Sequence, residues 1–359
     1  MARKSQRTVA RAIAGALAKR DRLEMQAADK LLSFVERRRK PVGADRGEAR
    51  SRPMTVSTQS RSWRGFRSIL CPVDFSEHSR RALRYAESVA ARANARLTVT
   101  YANDPLLVAA AAVALHDRRI AQRSATELRA FVEGTLAGRG LQWKSQVSVG
   151  DPAQAILKAA ARTRADLIVL GTHGLTGANR LLIGSTTLSV LQRTTVPVLA
   201  VPASGDEGEL PHSWPGERIA LALELSGSGS RAEVDGAARV AAWFGSSLIL
   251  LHVADEITAP AWFRGDLSAH ERILVQRAQQ QIDQLAARAR RIVPAEGRVV
   301  CGRIADEVAA LMATERIDLL ITELRERRGW FGARRGSVSY HVLAHAVCPV
   351  LACPPRWLR

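Results

Sequence analysis

Residues 166–202 read DLIVLGTHGLTGANRLLIGSTTLSVLQRTTVPVLAVP. A short β-branched run, DLIVL, is followed by a loop with glycines at 171, 174 and 184, a helical segment, TTLSVLQRT, and a second apolar run, VPVLAV. That succession reads as strand, crossover helix and parallel strand. Working back towards the N-terminus, SILCPV, ARLTVTYA and WKSQVSV are each followed by an alanine-rich helical segment. From Ser68 onward the chain therefore alternates strand and helix, the pattern of a parallel sheet with helices on both faces.

The unit occurs twice. Asp166-Leu-Ile-Val-Leu aligns with Asp318-Leu-Leu-Ile-Thr, and a spacing of about 152 residues carries Gly184-Ser185 onto Gly336-Ser337 and VPVLAVP onto CPVLACP. At nearly the same spacing Gly150 meets Gly302, RLTVTYA meets SLILLHV, and SILCPVDFS meets RIALALELS. Between the copies, ASGDEGELPHSWPG has the composition of an exposed linker. The expected organisation is an N-terminal extension and linker at 1–65, a first domain at 66–203, a linker at 204–215, a second domain at 216–355 and a short tail at 356–359.

Length and composition agree with two cores of ordinary size: 359 residues, 47% of them hydrophobic. The charge is less ordinary. Of the formal +19, residues 1–67 carry +12, from 18 Lys and Arg against 6 Asp and Glu. This extension, with loosely helical apolar spacing at Val9, Ile13, Leu17, Leu31 and Val35, is expected to be helical or disordered. Two readings stand for it: a contact with a polyanion such as nucleic acid, the ribosome or an acidic membrane surface, or a solubilising tail. The four cysteines form no CxxC pair and lie at no metal-ligand spacing with histidine, which points away from a zinc site or a disulfide framework and towards a reducing, cytoplasmic setting. No run of 18 apolar residues occurs, so no transmembrane segment is expected.

In an open parallel sheet, ligands bind at the carboxyl ends of strands, where helix N-termini present N–H groups. GTHGLTGANRLLIGST occupies such a place. Glycines at 171 and 174 would let backbone turn tightly and approach a ligand, Gly184 would do the same at the helix start, and Ser185 and Thr186 offer hydroxyl and N–H groups to phosphate. By composition alone, a plain strand-to-helix loop with a serine cap stands equally. The stretch is neither a Walker A loop, lacking Gly-Lys-Ser/Thr, nor a Rossmann fingerprint, because the first strand runs into PVDFS.

The spacing Gly-x2-Gly-x9-Gly-Ser at Gly171, Gly174, Gly184 and Ser185, with CPVDFS ending the first strand and PVLAVP closing the domain, resembles the universal stress protein family. The resemblance spans residues 66–203 and, more weakly, 216–355. It implies an α/β fold of two doubly wound five-stranded parallel-sheet domains, adenine nucleotide alpha hydrolase-like with strand order 3-2-1-4-5, binding ATP or another adenine nucleotide, with or without Mg2+. Carried onto this sequence, it places Asp74 at the adenosine beside Pro72 and Val73, and Ala102 and Leu170 around adenine and ribose. Gly171 and Gly174 would follow the ribose and phosphates, and Gly184, Ser185 and Thr186 would hold the phosphates. For Asp74 the competing reading is a helix cap or turn residue ahead of SEHSRRAL. His173 and Arg180 sit inside the loop and read as solvated or structural; no catalytic constellation stands out, so weak ATP hydrolysis is the most that is expected.

The second copy departs from the pattern. Glu224, Glu323 and Glu326 stand where the first has Asp74, Gly171 and Gly174, adding bulk and negative charge where phosphates should pass. Its loop, ELRERRGWFGARRGS, is a solvated charged loop or an anion- or partner-binding surface anchored by Trp330 and Phe331. One nucleotide site per chain, in the first domain, is the expectation. In the family, last strands often pair between subunits, so VPVLAVP and CPVLACP are expected to dock as an internal pseudo-dimer, with homo-oligomers built on it. The functional expectation is a nucleotide-responsive stress or signalling protein; the alternatives are a nucleotide-independent interaction module whose basic arm binds a polyanion, and a slow ATPase.

Overall fold

The computed structural model describes residues 63, 65–106, 108–109, 120–137, 140–172, 183–203, 214–225, 230–254, 268–324, 338–354 and 357–358. The basic arm, most of the linker after residue 203 and the interiors of both glycine-position loops lie outside them, and with them the expectations for His173, Gly174, Arg180, Glu326, Trp330, Phe331, Gly336 and Ser337. The first half runs β1 (Ser68–Pro72), α1 (Glu77–Ala93), β2 (Arg96–Asn103), α2 (Ile120–Leu136), β3 (Trp143–Val149), α3 (Pro152–Thr163), β4 (Leu167–Gly171), α4 (Ser185–Arg193) and β5 (Val198–Val201). The second repeats it as β6 (Arg218–Ala222), α5 (Ser230–Phe244), β7 (Ser247–Ala254), α6 (Ser268–Ala289), β8 (Ala295–Cys301), α7 (Ile304–Thr314), β9 (Leu319–Glu323), α8 (Val338–His345) and β10 (Val350–Cys353).

Local chemistry sets these boundaries. Ser76 caps α1, its Oγ accepting the Ser79 N–H at 3.1 Å. Asp151 caps α3 by accepting the Gln154 N–H at 2.8 Å, with Pro152 next, where its missing N–H costs nothing. Both helices end on a left-handed residue, Asn94 and Arg164, whose N–H turns back onto the last carbonyls. The aspartate that opens DLIVL ties β4 to the start of β1, because Asp166 accepts the N–H groups of Arg67 at 2.8 Å and Ser68 at 3.0 Å.

The strands form one sheet in the order β3-β2-β1-β4-β5-β10-β9-β6-β7-β8. Within each half the strands pair in parallel in the order 3-2-1-4-5 that the resemblance implied. The expectation of two five-stranded sheets changes in one respect: the last strands meet antiparallel, Leu199 opposite Leu351 and Ala200 opposite Val350, and fuse the halves into ten continuous strands. The physical reason is that an apolar last strand leaves unpaired N–H and C=O groups at its edge, and the tandem copy supplies a matching edge within the same chain.

Alternation along each strand feeds two cores, one on each side of the sheet. Ile69 and Ile219 face the side covered by α1, α2, α5 and α6; their neighbours Leu70 and Ala220 face α3, α4, α7 and α8. Both cores run across the seam. On the first side an aromatic cluster fills it: Trp214 lies 4.7 Å from Tyr85 and 5.9 Å from Phe244, and Trp243 stands 5.4 Å from Trp63. Arg92, in the last turn of α1, crosses to the end of α5 and donates to the carbonyls of Phe244 at 2.6 Å and Trp243 at 3.3 Å. One half thus satisfies orphan carbonyls at a helix end of the other.

Candidate functional site

At the carboxyl ends of β1, β2 and β4 the first half opens a cleft with a water-accessible volume of about 230 Å³. Nine of the ten residues singled out in the sequence line it: Pro72 ending β1, Val73 and Asp74 after it, Ala102 in β2, Leu170 and Gly171 closing β4, and Gly184, Ser185 and Thr186 at the start of α4. The tenth, Gly174, lies outside the described residues.

Each wall has a different character. On the β1 side, the Val73 N–H donates to the Thr100 carbonyl at 2.9 Å, which sets the exit from the strand. Asp74 follows, half-buried rather than fully buried, its Oδ1 accepting the Ser76 N–H at 3.1 Å and the Ser76 hydroxyl. The cap of α1 is therefore Ser76, and Asp74 is the turn residue that orients it. Phe75 between them takes φ of 65°, a strained conformation for a non-glycine residue, and packs its ring 4.6 Å from Tyr101 and 5.6 Å from Phe131.

On the β4 side the start of α4 is strapped to the strand. The Gly184 N–H donates to the Thr172 carbonyl and the Thr187 hydroxyl to the Gly171 carbonyl, each at 2.8 Å. Gly184 is the N-cap with φ of −57°, and no side chain caps the helix. Any residue could adopt that φ, so the expected conformational need for glycine here falls away. The first-turn N–H groups of α4 have no intrahelical acceptor, and Ser185 and Thr186 bring them to the cleft.

The remaining wall is one that the sequence reading misses. Pro152, Ala155 and Ile156 come from the first turns of α3, with Ser79, Thr100, Tyr101 and Thr187 completing the lining. The signal for it is Gly150-Asp151-Pro152, a helix start directly after the third strand, which the rule for strand carboxyl ends covers as well as it covers the first and fourth. Burial, then the carboxylates of Asp74 and Asp104, raise the Tyr101 phenol above its ordinary value, so it stays a neutral hydrogen-bonding group.

At the matching place in the second half, Glu323 ends β9 opposite Cys353, as Gly171 ends β4 opposite Val201, and it is buried. The Ser339 hydroxyl donates to the Glu323 carbonyl at 3.0 Å, the same strap as Thr187 to Gly171. The scaffold of the cleft is thus repeated while its glycine is not. Among the described residues no group of three or more His, Cys, Asp and Glu side chains could hold a metal ion, and no helix is long and apolar enough to cross a membrane.

A cleft at strand carboxyl ends, with apolar walls, a carboxylate on one side and a helix N-terminus on the other, belongs to the doubly wound class of α/β proteins. The sequence model of the universal stress protein family matches residues 65–202 and again 217–354, and the chain belongs to that family. A universal stress protein of Thermus aquaticus is 34% identical over 139 residues, covering 38% of this chain and 98% of that protein. One from Mycolicibacterium smegmatis is 25% identical over 301 residues, 80% of this chain and 97% of its own length. The crystal structure of a universal stress protein from Archaeoglobus fulgidus, 19% identical, superimposes with a TM-score of 0.56 over 80% of this chain and 98% of that one, a likeness of fold.

Proposed function

We propose that this universal stress protein binds ATP or another adenine nucleotide in the first-half cleft and acts as a nucleotide-responsive stress or signalling protein. The observation that carries the reading is the polarity of the cleft. Orphan N–H groups and hydroxyls at Ser185 and Thr186 suit phosphate oxygens, whereas the Asp74 carboxylate on the β1 side would repel phosphate and suits the hydroxyl or amine donors of an adenosine. Val73, Ile156 and Leu170 offer apolar contact to a base between them. When bound, the nucleotide, with or without Mg2+, would supply the charge that completes the α4 N-terminus. In this reading the described residues of the cleft bind and orient the nucleotide, and weak ATP hydrolysis is the most that is expected.

Titration of the full chain with a fluorescent adenine nucleotide tests it. One site per chain is expected, with ATP at 100 times its dissociation constant stabilising the fold by about 2.7 kcal/mol. Gly171→Glu, which copies Glu323, is expected to weaken binding by at least about tenfold while the ligand-free protein melts close to wild type. Two equivalent sites, no binding, or unchanged affinity in Gly171→Glu would each reject the reading.

A further inference from the structure

The second half has a groove of its own, in a different place from the cleft. It lies between the start of α5 and the C-terminal half of α6 and has a water-accessible volume of about 670 Å³. Its origin can be traced by comparing the halves. In the first, the space beside α1 is filled by Phe75 against Tyr101 and Phe131, with the Arg80 guanidinium 4.4 Å above the Phe131 ring. In the repeat, Leu225 replaces Phe75 and His252 replaces Tyr101, and His252 is engaged with the Leu223 carbonyl at 2.9 Å. The aromatic filling is lost and the groove is what remains.

Its lining is cationic and amide-rich: Arg231, Arg288 and Arg291, with Gln281 and Gln284, over an apolar floor that includes Leu225 and Leu285. Asp235 grips Arg288 from two sides, Nε to Oδ1 at 2.7 Å and a second guanidinium nitrogen to Oδ2, and so fixes it at the groove wall. Arg231 and Arg291 are exposed, and among the described residues neither pairs with a carboxylate. Two guanidinium groups without a carboxylate partner among the described residues, a third held in place and two carboxamide donors line one concavity. A fold needs no such grouping, since like charges in a shared groove repel, and it suits an oxyanion taken in bidentate fashion.

We propose that this groove is a second ligand site, independent of the nucleotide cleft, for a small molecule with several phosphate or carboxylate groups and a compact apolar part. The oxyanions sit on the arginines and glutamines; the apolar part lies on Leu225 and Leu285.

Calorimetric titration of the full chain with tripolyphosphate and, separately, citrate at physiological ionic strength tests the site, and the tighter of the two assigns its anion class. The double variant Arg231→Gln/Arg291→Gln is expected to lose about tenfold or more in affinity for that anion. Arg272→Gln/Arg277→Gln, which removes the same charge from exposed positions earlier on α6, is expected to retain it. Slowed amide exchange over residues 281–291 in the presence of the anion, absent in the first variant, is the local readout. Failure of both anions to bind, equal losses in the two double variants, or no loss in the first overturns the proposal. Because all four replaced side chains are exposed, melting temperatures near wild type are expected throughout.

Discussion

Gly171 and Glu323 show what a single position carries. Both end the fourth strand of their half, both are paired to the last strand, and both have their carbonyl strapped by a hydroxyl from the following helix. Since the fold accepts glutamate there, the glycine in the first half serves the space in front of it. The cysteines make a separate prediction at the same scale. Burial alone pushes the Cys71 thiol far up; Cys348 is pushed up to about 12, by burial and then the Asp318 carboxylate, and Cys353 is raised by burial and then Glu323. Cys301 is exposed. A thiol reagent at pH 8 is therefore expected to label one cysteine per native chain and all four after unfolding. Because the folded values lie above the unfolded value of about 8.5, the three buried thiols contribute stability that is full below that pH and declines as pH rises through it. Rapid native labelling of more than one site would contradict this burial.

Among the elements, the turn from β1 into α1 joins fold to site. Ser76 accepts the Ser79 N–H as helix cap and donates its own N–H and hydroxyl to Asp74. Ser76→Ala is expected to cost about 1 kcal/mol of stability through the lost cap. It should also weaken adenine nucleotide binding, because Asp74 loses the hydroxyl that holds it; Ser76→Thr, which retains the hydroxyl, should restore most of both. Chemical denaturation and the nucleotide titration read the two effects separately. These elements are legible in the sequence because their signals are local: a β-branched run for each strand, Asp-Pro for α3, Gly-Ser for α4. The α3 wall of the cleft is not, since Ala155 and Ile156 are ordinary helix residues whose role comes only from α3 packing over β1 and β2 on one face of the sheet.

At the level of the whole molecule, the continuous sheet and the two cores that cross its seam make the halves energetically one body. Leu199 and Leu351 face one another across β5 and β10 and are almost fully buried, with 2% exposure each. Leu351→Ala is expected to cost about 2–5 kcal/mol. Residues 61–359 should still unfold in a single transition, with tryptophan fluorescence and far-UV circular dichroism coincident. Two separated transitions in the wild-type chain would show the halves to be independent. Arg92, reaching from α1 to the end of α5, binds the halves in the same way on the helical side.

The sequence by itself determined the repeat and the alternation of strand and helix, because strand periodicity, caps and glycine spacing are written in neighbouring residues, while the resemblance to the universal stress proteins is what pointed to nine described residues of the cleft. It could also place the last strands as partners, since two apolar edges in one chain need covering. Only the tertiary structure decided that the two sheets become one, that α3 closes the cleft, and that α5 and α6 leave a cationic groove where the first half is packed with aromatics. Those outcomes depend on which side chains meet across distances of tens to more than a hundred residues, and packing of that kind is fixed by volume and charge complementarity that no local pattern encodes.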